Sequence, residues 1–270
     1  MAEYTNMSSL PGNQFPFPTP TSIQRGRTQS ESWVTHRMQM IDEKRSRRYC
    51  VFAAEAMFPI ALRLQTIDPA RFRVFPISWE KFPDGTDNIT ISGYSPTNEI
   101  AGEHVLFFGS FHNNDVTLSQ FSVMIVLLQS LIESFTLVLP FYPVGTMERV
   151  DVEGKVATAS TYSILLSNLP SIGKPNRIMM YDLHTLQNRF YFHGTSIASL
   201  HSAVPSLLSR IAGLGIEAVA FPDEGSSKRF GKLFDRANFS RIVCGKVRDG
   251  SKRIVTVQDG DPNGTFGAFC

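Results

Sequence analysis

Ten consecutive residues decide the predicted fold: Ile178-Met179-Met180-Tyr181-Asp182-Leu183-His184-Thr185-Leu186-Gln187. The first four form an apolar run that is typical of a strand buried on both faces of a parallel sheet. In open α/β sheets, ligands bind beyond the carboxyl ends of the strands, where Asp182 and His184 would lie. Two residues apart in an extended segment, these side chains are expected on the same side, where they could share one metal ion. The alternative is that Asp182 caps a turn and His184 hydrogen-bonds a loop.

Strands and helices alternate on both sides of this stretch. The alternation predicts βαβ units, a mostly parallel sheet and the α/β class. The predicted helices are Glu55–Gln65, one capped by Asp115 and running to about Ile132, one from Val152 to about Ser167, Ser199–Ala212 and Ser226–Asp235. The predicted strands are Cys50–Ala53, Phe72–Ile77, Asn88–Ser92, His104–Phe108, Phe135–Leu139, the strand ending at Asp182, Ala218–Phe221, Ile242–Val247 and Ile254–Val257.

Length and composition fit a globular protein of one large or two smaller domains, since 270 residues with 42% hydrophobic content can bury a full core. The net charge of +2 argues against bulk attraction to nucleic acid or membranes, so neither is expected as a partner. The most apolar run, residues 121–128, is far shorter than the ~20 residues of a membrane span. Three widely spaced cysteines favour reduced thiols and a cytoplasmic location. The Ser, Thr and Arg content of the N-terminus leaves an organellar transit peptide as the alternative.

The chain is expected to divide into three parts. Residues 1–46 are rich in Pro, Ser, Thr, Gln and Asn and are predicted to be a disordered extension, because such a segment buries little apolar area. Residues 47–197 are expected to form the first α/β domain. Residues 198–270 begin a second domain of the same kind, which has too few predicted strands to complete its own sheet.

A second cluster follows a predicted strand at Phe221-Pro222-Asp223-Glu224-Gly225-Ser226-Ser227-Lys228-Arg229. A helix that starts here would offer free N–H groups and two cations, which suit a phosphate. Asp223 could hold a sugar hydroxyl or a metal. The alternative is a capped surface helix whose Lys228 and Arg229 face solvent.

A third cluster, Cys244–Arg253, carries four cations around two glycines. Lys246 and Arg248 alternate on one face of a predicted strand, so both could reach a polyphosphate. The alternative is a solvated basic hairpin. The sequence thus combines Asp182 and His184, which could bind a metal, with two basic clusters that could bind anions, all at predicted strand ends. This combination points to phosphoryl or pyrophosphoryl chemistry.

The order of these motifs resembles the ribose-phosphate pyrophosphokinases, also called phosphoribosyl pyrophosphate synthetases, over about residues 49–262. Gly145–Arg149 and Lys246–Val257 are most similar to the divergent plant-type branch. The motifs that carry the resemblance are Phe82-Pro83-Asp84-Gly85, Val138-Leu139-Pro140-Phe141-Tyr142-Pro143, Tyr181–Gln187, Pro222–Arg229 and Lys246-Val247-Arg248.

The resemblance implies tandem phosphoribosyltransferase-like domains with the active site between them. It implies transfer of a pyrophosphoryl group from ATP to the C1 hydroxyl of ribose 5-phosphate, with Mg²⁺ as the cofactor and AMP as a product, in nucleotide biosynthesis. It also implies assembly into a homo-oligomer or with other synthetase subunits.

The resemblance also implies roles for single residues. Asp182 and His184 would place magnesium–ATP, and Asp223 would face the ribose hydroxyls and their metal. The ATP and phosphate groups would be bound by Arg149, Lys228 and Arg229, and the charge of the transferring group would be stabilised by the catalytic pair Lys246 and Arg248.

The chain departs from the family pattern at three places. Thr146-Met147 stands where many members carry Arg-Gln, and Asp84 and Thr86 match only partly the residues through which a neighbouring subunit holds the base. Residues 263–270 do not resemble the Asp-Asp and Gly-Gly-Thr loop that grips the 5-phosphate. We therefore expect an incomplete chain that forms no AMP by itself. The alternatives are a non-catalytic regulatory partner of the synthetase and an unrelated magnesium-dependent phosphohydrolase.

Overall fold

A computed structural model describes most of the chain after residue 46. The chain divides into two units, Met1–Arg48 and Tyr49–Cys270, and the second carries the fold. Of the predicted extension 1–46 only Arg37 and Met40 are described, both in helical conformation, and the rest of that prediction lies outside the described residues. The described residues are Arg37, Met40, 47–249, 252–262 and 267–269.

The described elements alternate as predicted for an α/β protein. Twelve strands are described: β1 Tyr49–Ala53, β2 Phe72–Val74, β3 Ile77–Lys81, β4 Asp87–Ile91, β5 His104–Phe108, β6 Ser134–Leu139, β7 Asn176–Tyr181, β8 Ser196–His201, β9 Ala218–Phe221, β10 Ser240–Asp249, β11 Lys252–Asp259 and β12 Gly267–Phe269. The α-helices are α1 Phe58–Ile67, α2 Asn114–Leu128, α3 Thr158–Ser167, α4 Val204–Ile211 and α5 Glu224–Asp235, and 3₁₀ helices span Glu55–Met57, Pro143–Thr146 and Leu186–Tyr191.

The larger sheet has six strands in the order β2-β1-β5-β6-β7-β8, and all of its neighbouring strands are parallel. Its central strands are apolar on both faces, as helices on both sides require. The chain runs from β1 to β2 on one side and later to β5 on the other side. The strand order therefore reverses at β1, and the carboxyl ends of β1 and β5 flank the topological switch point.

Three predicted helix boundaries are wrong. The helix predicted at Ser199–Ala212 is strand β8 followed by α4, and the helix predicted from Val152 begins only at Thr158. The helix α2 is capped by Asn113 rather than Asp115, because the Asn113 side chain accepts the backbone N–H of Val116 at 2.9 Å. An Asn side chain satisfies one of the free N–H groups of a first turn as well as an Asp does.

The turn between β5 and α2 is held by the fully buried side chain of Gln120. Its Oε1 accepts the Ser110 N–H at 2.8 Å, and its Nε2 donates to the Ser110 carbonyl at 2.7 Å and to the Val116 carbonyl at 2.9 Å. One side chain thus satisfies three backbone groups at the carboxyl end of β5.

Replacing Gln120 by leucine should lower the free energy of unfolding by about 2–3 kcal/mol, because backbone groups beneath α2 lose their partners. Chemical denaturation measures the change. The matched control is Gln129→Leu at an exposed position just after the same helix, which should change stability by less than about 0.5 kcal/mol. Equal losses in both variants would contradict the assigned role of the Gln120 hydrogen bonds.

The smaller sheet has the order β11-β10-β9-β12. The strands β9 and β10 are parallel, β12 is parallel to β9, and β10 and β11 form an antiparallel hairpin. The predicted domain boundary at 197/198 falls inside β8, which pairs with β7 in the larger sheet. The division of the chain into domains stays a prediction.

The cores of the two sheets are separate clusters of buried side chains. The main cluster of the larger sheet includes Phe107 and Leu137, and a cluster of the smaller sheet contains Phe221 and Phe234. Cys50 and Cys244 are buried free thiols, and burial raises the pKa of Cys50 to about 11, so this thiol stays protonated. Among the described residues, no helix is both long enough and apolar enough to cross a membrane.

Candidate functional site

Asp182 is held at the carboxyl end of β7 by contacts with the segment after β8. Its N–H donates to the His201 carbonyl at 3.0 Å, and its Oδ2 accepts the Ala203 N–H at 2.9 Å. Its φ is +44°, in the left-handed region that non-glycine residues seldom adopt. Its Oδ1 is buried and has no hydrogen-bond partner among the described residues. A strained backbone and an unsatisfied buried carboxylate oxygen at one residue are features of a functional site.

The geometric premise that paired Asp182 with His184 is wrong. The segment after β7 is not extended, because the backbone turns at Asp182 and bends again at His184. Side-chain alternation therefore does not place the two side chains on one side. His184 is exposed to solvent, and its proposed role rests on the resemblance alone.

The loops after β6 and β7 are bonded to each other. Asn188 Nδ2 donates to the Gly145 carbonyl at 3.0 Å, and the Tyr191 hydroxyl donates to the Glu148 carbonyl at 2.7 Å. The 3₁₀ helix Leu186–Tyr191 thus fixes the loop that carries Arg149. The loop 140–157, which carries Arg149, and the loop 182–195, here called the Asp182 loop, form one connected surface.

Arg149 extends from this surface with its side chain 80% exposed. Its Nε lies 3.4 Å from Oε1 of Glu148, whose side chain is only 7% exposed. Glu148 Oε2 is buried and has no partner among the described residues. No local pattern in the sequence indicates this buried carboxylate, because a Glu-Arg pair in a polar loop is usually solvated.

The start of α5 is a capped helix, as the alternative interpretation expected. Asp223 is its N-cap and accepts the Ser226 N–H at 2.8 Å. Lys228 is exposed and pairs with Glu224 at 2.8 Å. Two carboxylates in the first turn already offset the positive helix end, so this terminus suits a cation-bound phosphate better than a bare one.

Arg229 links this helix to the Asp182 loop. Partial burial lowers the pKa of its guanidinium, and the negative charge of Asp182 opposes that shift. The guanidinium also lies 4.9 Å from the ring centre of Phe230. The structure therefore brings Asp182 at the end of the larger sheet within electrostatic reach of a cation on the smaller sheet, although the two residues are far apart in sequence.

The backbones of Lys246 and Arg248 lie in β10, opposite Val255 and Arg253 of β11. This agrees with a basic hairpin, and residues two apart in a strand share one face. The two side chains lie outside the described part of the structure.

The Asp182 loop fits a magnesium ion that arrives with a nucleotide. Among the described residues, no group of three or more His, Cys, Asp or Glu side chains is placed to hold a metal. Magnesium bound to a nucleotide needs only one or two protein carboxylates, since phosphates and water supply its other ligands. The unsatisfied Oδ1 of Asp182 could supply one such carboxylate ligand.

Substitutions at Asp223 should separate its capping role from its charge. Asp223→Ala should lower stability by about 1 kcal/mol through loss of the cap, whereas Asp223→Asn should stay close to the native value. Thermal and denaturant unfolding measure both changes. A large loss in the asparagine variant would show that the negative charge, rather than the capping hydrogen bond, stabilises α5.

The chain is similar to plant proteins that are all named ribose-phosphate pyrophosphokinase. Over 220 residues it is 41% identical to ribose-phosphate pyrophosphokinase 4 of Oryza sativa subsp. japonica, covering 80% of this chain and 65% of the relative. It is 41% identical over 225 residues to the chloroplastic ribose-phosphate pyrophosphokinase 3 of Arabidopsis thaliana, and 40% over 223 residues to the mitochondrial one of Spinacia oleracea. Those alignments cover 82% and 81% of this chain but 53% of each relative. The chain thus spans between about half and 65% of the length of these curated relatives.

The fold is similar to that of a solved structure. The crystal structure of phosphoribosylpyrophosphate synthetase from Mycobacterium smegmatis matches with a TM-score of 0.63 at 19% identity, over 83% of this chain and 70% of that one. This match confirms the predicted phosphoribosyltransferase-type α/β fold. No protein-family profile matches the chain. In sequence, the chain is similar to the plant ribose-phosphate pyrophosphokinases over about four fifths of its length.

Proposed function

We propose that the chain binds magnesium–ATP for ribose-phosphate diphosphokinase chemistry, in which a pyrophosphoryl group passes from ATP to the C1 hydroxyl of ribose 5-phosphate. The products are phosphoribosyl pyrophosphate, a precursor for nucleotide biosynthesis, and AMP. The observation that carries the proposal is the strained Asp182, whose buried Oδ1 has no partner among the described residues. The similarity to plant ribose-phosphate pyrophosphokinases supports ATP and ribose 5-phosphate as the substrates.

In this proposal the carboxylate of Asp182 orients the bound nucleotide together with His184. Arg229, attracted to Asp182, lies beside the phosphates, and Lys228 can turn to them from its exposed pair with Glu224. The magnesium ion, when bound, neutralises phosphate charge and aligns the phosphate chain. Arg149 is free to swing toward the nucleotide because its side chain is 80% exposed, while the Tyr191 hydrogen bond holds its backbone.

The transfer itself is assigned to the basic hairpin. Lys246 and Arg248 would stabilise charge on the transferring group, and Asp223 would accept hydrogen bonds from the ribose hydroxyls or their metal. Strand β10 of this hairpin pairs with β9, and Asp223 and α5 follow β9. The residues assigned to the ribose and those assigned to the phosphates therefore belong to one sheet and its helix.

Isothermal titration calorimetry tests the proposal. ATP with Mg²⁺ should bind saturably, and ATP with EDTA should bind at least about tenfold more weakly, because unscreened phosphates meet the acidic first turn of α5. The absence of magnesium-dependent binding would contradict the proposal. Formation of AMP after addition of ribose 5-phosphate would assign catalysis to the chain itself.

A second candidate is a non-catalytic regulatory partner of the synthetase. Its support is that Asp223 is engaged as the cap of α5 and that Lys228 is engaged in an ion pair with Glu224. Magnesium–ATP binding without AMP formation, together with a changed turnover of an added full-length homologue, would favour it. Size-exclusion chromatography with light scattering would show whether the chain assembles with itself or with that homologue.

We also propose a cytoplasmic location. The chloroplastic and mitochondrial names of two relatives make an organelle the competing outcome. Microscopy of the chain with a fluorescent protein at its C-terminus separates the two, because an organellar signal would concentrate the label in that organelle.

A further inference from the structure

The structure contains a cavity of about 310 Å³ away from the Asp182 loop, at the topological switch point of the larger sheet. Its floor is formed by Ala54 and Glu55, which follow β1, and by His112, which follows β5. Switch points are where open α/β sheets bind ligands, and this volume is near the lower end of the usual range for small-molecule sites. The cavity thus has the position and size of a site for a small molecule.

The walls of the cavity are fixed in place. On one side stands the β3–β4 hairpin with Trp79 and Ile89, both packed against the main core. On the other side the first turns of α2 contribute Val116. The Ser119 hydroxyl donates to Asp87 Oδ1 at 3.0 Å, which bonds the turn end of the hairpin to α2. The bonds of Gln120 hold the turn between β5 and α2 at the same end.

The lining is apolar in its body and acidic at its polar positions. Trp79, Ile89 and Val116 form an apolar wall in which the indole ring offers a face for stacking or for a cation. The charged lining residues are three carboxylates and one lysine, and Lys81 lies 3.7 Å from Asp87, so these two charges offset each other. Alternation along β3 puts the Glu80 side chain on the face opposite Trp79 and Lys81, so the remaining negative charge in the cavity belongs to Glu55, and this balance disfavours an anion.

We propose that this cavity is a second binding site, and that it takes a small molecule with a flat apolar body and a positively charged amino group. The body would stack on Trp79, and the amino group would lie toward Glu55. The same carboxylate disfavours phosphorylated ligands. The site is independent of the proposed magnesium–ATP site, since none of its lining residues belongs to the Asp182 loop.

The test uses the fluorescence of Trp79 in the whole chain. The chain has two tryptophans, so a Trp33→Phe variant leaves Trp79 as the single indole. Two probes share an aromatic body and differ in charge: phenethylamine and 3-phenylpropionate. Phenethylamine should change the Trp79 emission saturably, and 3-phenylpropionate should bind at least about tenfold more weakly.

Three further variants locate the binding. Val116→Phe should abolish the response by filling the cavity, whereas Leu118→Phe, which adds a ring on the exposed side of the same helix, should retain it. Glu55→Gln changes no buried side chain and should weaken phenethylamine at least about threefold while leaving 3-phenylpropionate no weaker. Asp182→Asn should leave both probes unchanged.

Several results would overturn the proposal: no saturable response to phenethylamine, equal binding of the two probes, or an unchanged response in both Val116→Phe and Glu55→Gln. Because Glu55 is exposed, its variant keeps the test decisive if Val116→Phe fails to fold. A failure here would not affect magnesium–ATP binding, which is measured separately by calorimetry.

Discussion

The Asp182→Asn variant is expected to bind magnesium–ATP about 10- to 100-fold more weakly than the native chain while keeping its fold. Asparagine retains an oxygen that can accept the Ala203 N–H, and it tolerates a left-handed φ as aspartate does. What it removes is the negative charge at the buried position of Oδ1. Calorimetry with Mg²⁺ measures the affinity, and thermal unfolding shows whether the structure is preserved.

Two comparisons make this result specific. Asp68→Asn changes a carboxylate at the opposite edge of the sheet, where it accepts the Arg71 N–H at 3.1 Å, and it should leave ATP binding unchanged. Asp182→Ala should both lose ATP binding and unfold at a lower temperature. It removes the side chain that accepts the Ala203 N–H, and alanine at φ +44° has no polar side chain to stabilise the left-handed backbone. Native affinity in Asp182→Asn would remove Asp182 from the site.

The sequence predicted those parts of the fold that depend on local pattern. The apolar run Ile178–Tyr181 identified β7, since a strand between two others must be apolar on both faces. It did not identify β8, an edge strand whose sequence Ser-Ile-Ala-Ser-Leu-His mixes polar and apolar residues and also fits a helix. The hairpin and the β9–α5 unit were predicted because their turn residues and caps are local signals.

The site was predicted only in part, because its geometry depends on contacts between distant residues. The turn at Asp182 follows from hydrogen bonds to residues after β8, about twenty positions later. The approach of Arg229 to Asp182 and the burial of Glu148 also arise from packing between loops. A strand end rich in polar residues can indicate where a site lies, but it cannot show which atoms remain unsatisfied there.

The separation of the two cores leads to a prediction about how the chain unfolds. Phe234 is fully buried and packs edge-to-face on Phe221 at 5.7 Å, in a small cluster that belongs to the smaller sheet. Phe234→Ala should cost about 3–5 kcal/mol, because a cluster of this size cannot close the void that the ring leaves. Hydrogen–deuterium exchange should then show faster exchange in β9 and β10, with β5–β7 unchanged.

The matched variant is Leu137→Ala, which removes a fully buried side chain from the core of the larger sheet. It should cost about 2–5 kcal/mol and produce the opposite pattern, with faster exchange in β5–β7. If each variant speeds exchange only in its own sheet, the sheets are separate cooperative units, as expected for two domains that meet at a shared site. If either variant speeds exchange equally in both sheets, residues 49–270 unfold as one unit and the predicted division near residue 197 is wrong, because cooperative units follow shared cores.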